Sequence, residues 1–142
     1  REVLQDDATI CLDRLSDLVN LSRNACWRRI RQMEEVGLIK GRVALLEPAM
    51  LGLGLSVFVM IRTNDHAPDW LSRFENAVKT MPEILGAHRM SGELDYVLRV
   101  RVENMADYDR FYKTLIGRVP VADISASFVM EDIKDTTALP TQ

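Results

Sequence analysis

The sequence predicts an α+β protein in two parts: an N-terminal helix-turn-helix of winged-helix-like type and a C-terminal ferredoxin-like βαββαβ domain. Three observations predict it. Two apolar stripes of helical period stand about three residues apart within 12–36. Strand-like and helix-like segments then follow in the order β-α-β-β-α-β between 56 and 133. Between these regions, Gly37, Pro48, Gly52 and Gly54 punctuate the chain.

Residues 1–5 read as the end of a helix, and with no initiator Met the chain is expected to continue upstream. Leu12, Leu15, Leu18 and Val19 fit one face of a short helix over 12–19. Asn20 suits the left-handed exit turn. Ser22 is a good N-cap for a second helix over 23–36, with Cys26, Ile30 and Met33 on its inner stripe and Gly37 as its stop. Residues 38–46 suggest extended structure, ended by Pro48, and 47–55 a linker.

Residues 56–63 are rich in β-formers and predict a strand. The helix over 70–81 turns Leu71, Phe74, Ala77, Val78 and Met81 inward, and Pro82 stops it. A strand over 84–90 leads into the turn Ser91-Gly92-Glu93. The strand over 96–102 alternates strictly. A second amphipathic helix covers 105–116, with Tyr108, Phe111, Tyr112, Leu115 and Ile116, and a final strand covers 124–133. The expected organisation is a helix-turn-helix over 1–41, a linker strand and hinge over 42–54, a sensing domain over 55–133 and a tail over 134–142. Helices would cover one face of the sheet, leaving the other for a second copy of the chain.

Composition excludes several classes of protein. With 47% hydrophobic and 27% charged residues, the 142-residue chain is globular rather than disordered. It holds no apolar run of about 18 residues that would span a membrane, and its first residues show no signal-peptide pattern. Cys11 and Cys26 make neither a disulfide framework nor a metal site and read as free thiols in a reducing cytoplasm. The net charge of −3 is unevenly spread. Residues 22–42 hold six basic groups against Glu34 and Glu35, a local +4 that leaves −7 elsewhere and hints at nucleic-acid contact. His66 and His88 stand apart, and neither a zinc spacing, a phosphate-binding glycine loop nor a serine elbow is present.

Several spaced motifs resemble the Lrp/AsnC (feast/famine) regulators, in order and over nearly the whole chain. LSDLVNLSRNACWRRIRQMEEVGLIKG (15–41) is similar to the family's helix-turn-helix, and VALLEP (43–48) to its linker strand. MSGELDYVLRV (90–100) resembles its characteristic turn, and FVMEDIKDTTALP (128–140) its closing strand and tail. NACWRRI, LGLGL and KDTTALP look most like a branch whose members respond to cysteine. The sequence departs from the pattern at Asn20, where the family usually has Gly, and at Cys11, a poor cap. It also lacks a glycine near Pro120-Val121-Ala122 and most of the first helix.

The resemblance implies a transcription factor without catalytic residues, cofactor or metal. Its recognition helix would present Ser22, Arg23, Asn24, Trp27, Arg28 and Arg31 to double-stranded operator DNA. Trp27 could equally pack within the helices, and Arg29 could be a solvated charge. A small effector, an amino acid, would bind between sensing domains at Arg89, Met90, Ser91, Gly92, Glu93, Asp95, Met105, Ser127, Phe128 and Val129. Against that, Gly92 could serve only its turn, Asp95 could pair with a surface arginine, and Met105 could be core. Homodimers would assemble further, to octamers. The alternative is a ferredoxin-like metabolic or small-molecule-binding protein with no DNA role, for which Glu93 and Asp95 are the nearest approach to an acid–base pair.

Overall fold

The computed structural model describes residues 1–141, which form two compact units. The first comprises Arg1–Leu45 with the C-terminal stretch from Ile133, and the second Leu46–Asp132.

The first unit carries helices α1 (Glu2–Asp6), α2 (Leu12–Val19) and α3 (Arg23–Glu35). Cys11 precedes α2 and makes no side-chain capping bond. At the far end Asn20 takes φ 54°, the left-handed conformation that asparagine tolerates better than branched residues. Ser22 Oγ accepts from the Ala25 amide at 3.1 Å, satisfying one of the orphan donors that open α3. Gly37, at φ 78°, turns the chain out of α3, and its amide donates to the Glu34 carbonyl.

The interior of this unit is thin: Leu15 and Cys26 are its buried hydrophobic side chains among the described residues. Leu18 and Val19, expected inward, are exposed, and of α2's apolar stripe only Leu15 is fully buried. Residues 41–47 form no strand ladder, since the chain offers them no strand to pair with. The Arg42 guanidinium instead holds Glu34 at 2.9 Å.

The second unit begins with a 3₁₀ turn at Pro48–Leu51, inside the expected linker. Strands β1 (Leu55–Arg62), β2 (Ile84–Arg89), β3 (Tyr96–Val102) and β4 (Asp123–Phe128) form one antiparallel sheet in the order β2-β3-β1-β4. Helices α4 (Pro68–Thr80) and α5 (Met105–Arg118) supply the two crossovers of the ferredoxin-like pattern. Pro68 opens α4, two residues before the expected start, where a missing amide proton costs nothing.

The core lies between one sheet face and the helices: Val57, Val59, Ile61, Leu98, Val100 and Val102 against Trp70, Phe74, Ala77, Phe111, Leu115 and Val119. Trp70 stacks on Phe74 at 5.1 Å, and its indole N–H donates to the Pro120 carbonyl at 2.6 Å. The period of α4 was legible at Phe74, Ala77 and Met81, all buried; Leu71 and Val78 pack against the core half-buried, and Trp70 joins the buried set. Ile116, also expected inward, lies at the helix edge and is exposed.

Strand β4 is shorter than the expected 124–133. Its ladder runs along β1, with Phe128 opposite Val57 and the Val129 amide donating to the Ser56 carbonyl. Beyond that β1 has no backbone left to offer, and the chain peels away. Residues from Ile133 return to the helical unit instead of forming a separate tail.

Candidate functional site

Helix α3 sorts its side chains by the 100° turn per residue. Asn24, Trp27, Arg28 and Arg31 share one exposed face, opposite buried Cys26 and half-buried Ile30 and Met33. Trp27 is 54% exposed, which removes the packing alternative for it. The Arg31 guanidinium lies 5.8 Å from its ring centroid and 3.9 Å from both Glu34 and Glu35. Exposed pairs of this kind contribute about 0–1 kcal/mol, so Arg31 can be recruited elsewhere at small cost.

The other two predicted positions are differently occupied. Arg23 is turned about 100° from Asn24 and approaches Asp13 of α2 at 3.5 Å. Ser22 spends its hydroxyl oxygen on the helix cap. Arg28 takes no part in the ion pairs of the described residues and is the least encumbered cation on the face. Arg29 is exposed on a flank of the helix, away from that face.

The second predicted group divides between the two ends of the sheet. Arg89–Asp95 is the tip of the β2–β3 hairpin, next to Tyr96. Its neck is closed by the Met90 amide donating to the Asp95 carbonyl at 2.8 Å. Gly92, at φ 101°, takes the turn where a side chain would be strained. Asp95 is half-buried: Oδ2 accepts from the Thr63 amide at 2.8 Å, and its own amide donates to the Ile61 carbonyl. No surface arginine is needed to explain it; Arg62 pairs instead with Glu93, at 3.5 Å.

Met105, Ser127, Phe128 and Val129 sit at the other end, about 20 Å away along β3. Register also separates them by face. Phe128 lies opposite Val57 and meets Tyr108 edge-on at 5.2 Å, on the helix side. Ser127 lies opposite Phe58 on the outer side. Met105 is 58% exposed, not core. One chain therefore does not gather the ten residues. Thr63 and Arg62, which complete the hairpin tip, were not found from the sequence because only strand register brings them within reach, 32 and 31 positions away.

Burial raises the Tyr108 phenol above its ordinary value, with nearby Tyr112 adding to the effect. Among the described residues no cluster of His, Cys, Asp and Glu could hold a metal ion, and no helix is long and apolar enough to cross a membrane.

A helix-turn-helix with an exposed cationic face on α3, followed by a ferredoxin-like α/β unit, has the two-part layout of a one-chain transcriptional regulator. Comparison with known proteins gives the family. Residues 2–40 match the model for winged helix-turn-helix DNA-binding domains, and residues 56–139 the model for the Lrp/AsnC ligand binding domain. The chain belongs to the Lrp/AsnC family of transcriptional regulators. It is 48% identical over 139 residues to the DNA-binding transcriptional activator DecR of Escherichia coli K12, covering 97% of this chain and 91% of DecR. Its fold matches the crystal structure of an AsnC family transcriptional regulator from Agrobacterium tumefaciens with a TM-score of 0.93 at 48% identity, over 97% of this chain and 90% of that one. A regulator from Neisseria meningitidis, in complex with L-methionine, matches with a TM-score of 0.93 at 35% identity, over 98% and 90% of the two chains.

The raised Tyr108 group contributes stability that is complete below pH 10 and lost as pH rises through its folded value. Tyr108→Phe keeps the edge contact with Phe128 and removes the ionisation. Thermal melts between pH 9 and pH 11 should show a smaller alkaline loss in the variant than in the native chain; equal losses would show that Tyr108 does not titrate differently on folding.

Proposed function

We propose that this chain binds operator DNA through Asn24, Trp27, Arg28 and Arg31 of α3, with Ser22 and Arg23 at its N-terminus, and that a small amino-acid effector modulates this binding. The exposed α3 face, carrying two arginines and an amide opposite a buried stripe, is the observation that carries the reading. Arginine reads guanine or holds phosphate, and asparagine reads adenine. The protein works in the cytoplasm, as a regulator rather than an enzyme.

The effector site we propose combines the hairpin tip of one chain, Arg89–Asp95, with Met105 and Ser127–Val129 of another. The separation of the two groups along the sheet supports a site shared between chains. Backbone amides at Ser91 and Gly92 would take a carboxylate, and the second oxygen of Asp95 an ammonium. The Neisseria relative, in its complex with L-methionine, supports an amino acid as ligand class. The NACWRRI, LGLGL and KDTTALP segments favour cysteine among them.

Dimers would form through the extended 42–46 stretch and the outer sheet face, then assemble to octamers. Val43, Leu45 and Leu46 are 82%, 72% and 68% exposed, and Phe58 is 40% exposed on the outer face of β1. Apolar groups left so open in one chain are natural seats for a second. Light scattering should return a multiple of the 16.2 kDa chain mass; a monomer at micromolar concentration would remove both the assembly and the shared site.

Affinity for duplex DNA should fall steeply with salt, by about 0.9 logarithmic units per decade for each phosphate contact. Arg28→Ala should cost about 1–3 kcal/mol of DNA binding with the oligomer unchanged. Native affinity in that variant would withdraw α3 as the recognition helix.

A thermal-shift screen against the twenty amino acids should find one or two ligands. A ligand at a hundred times its dissociation constant stabilises by about 2.7 kcal/mol. Asp95→Asn keeps an acceptor for the Thr63 amide and removes the charge that would meet an ammonium. It should abolish that shift while preserving DNA binding. A full shift in the variant would take Asp95 out of the site, and no shift with any amino acid in the native protein would overturn this class of effector.

A further inference from the structure

The C-terminal segment is counted with the ligand-binding domain by the family model, which runs to residue 139. In the structure it belongs to the helical unit. Gln5 of α1 brackets Leu139 from both sides. Its amide nitrogen donates to the Leu139 carbonyl at 3.0 Å, and its amide oxygen accepts from the Leu139 amide at 2.6 Å. The same pair of bonds would join two neighbouring strands, here made by one side chain.

A second contact repeats the match one step along, where the Thr141 hydroxyl meets the Glu2 carboxylate at 3.4 Å. Glu2 and Gln5 are three apart and share a helix face; Leu139 and Thr141 are two apart and share a side of an extended chain. Thr137, Leu139 and Thr141 accordingly line one cleft of about 500 Å³ together with Leu4 and Gln5.

Helix α1 buries no residue between Glu2 and Asp6, so its contacts with the C-terminal segment are made at its surface. The helical unit as a whole has a thin interior, so contacts at its edge weigh more than they would on a larger domain.

We propose that residues 137–141 are a brace of the DNA-binding unit, fastened to α1 through the Gln5 bracket, so that the helical unit is joined to the sensing unit by two stretches of chain. The first is the linker after Leu45; the second leaves β4 and reaches α1. A change at the last strand of the sensing sheet then has a covalent route to the first helix that does not use the linker. The brace is a property of the unliganded chain and stands apart from the identity of any effector.

Amide hydrogen exchange on the full chain, without DNA or amino acids, tests it from both sides. In the native protein the Leu139 amide should be protected relative to an unstructured peptide. Gln5→Ala should speed its exchange about tenfold, the loss of one hydrogen bond's worth of protection. Leu139→Pro, which removes the donor from the tail, should in turn speed exchange of the Gln5 amide within α1 and of the Asp7 amide that closes it. The Val59 amide in the sheet serves as control and should not change in either variant. A native Leu139 amide exchanging like free peptide, or a Gln5→Ala variant with unaltered Leu139 exchange, would overturn the bracket. Unaltered α1 exchange in Leu139→Pro would overturn the brace.

Discussion

The packing of β1 against the two crossover helices is the constraint on which the sensing unit depends. Strand β1 is central, bonded to β3 on one side and β4 on the other. Val57, Val59 and Ile61 on its inner side have no solvent exposure. A slip of one residue in either ladder would turn these three out and bring Ser56, Phe58 and Met60 in, so burial fixes the register. Register in turn places Asp95 under Thr63, Arg62 beside Glu93, and Ser127 and Phe128 on opposite faces. The hairpin tip owes its geometry to this core, not to its own short sequence.

The helical unit is held together on different terms. Its interior is small, and its order rests on local devices: the Ser22 cap, the left-handed Asn20 and the Gly37 exit. Such devices contribute on the order of 1 kcal/mol each. They suffice to present an exposed face of α3 whose charges are only loosely tied. The Arg31 guanidinium sits among a ring and two carboxylates at distances that water competes for. Partners this weak can be exchanged for others without a large penalty. The same economy leaves Val43, Leu45 and Leu46 exposed.

Much of this was legible beforehand because it follows from period. The strict alternation of Tyr96, Leu98, Val100 and Val102 gave β3 its bounds, and the spacing of Cys26, Ile30 and Met33 gave α3 its inner side. Asn20 was legible as a left-handed residue because few other side chains accept that conformation. The extent of β4 was not, because a strand ends where its neighbour ends, and β1 stops at Leu55. The exposure of Leu18 and Val19 was hidden for a similar reason: periodicity names a face, but the packing of other segments decides how much of it is covered.

By itself the sequence determined the family, the order of elements, the two-part organisation and the exposed cationic face of α3, since each depends on neighbours three to four residues apart or on motifs read in order. Tertiary structure decided which groups share a place. It separated the hairpin tip from Met105 and Phe128 along the sheet, committed one oxygen of Asp95 to Thr63, and carried Leu139 across 134 positions to Gln5. Those placements depend on pairing between segments far apart in the chain, and no local period encodes them.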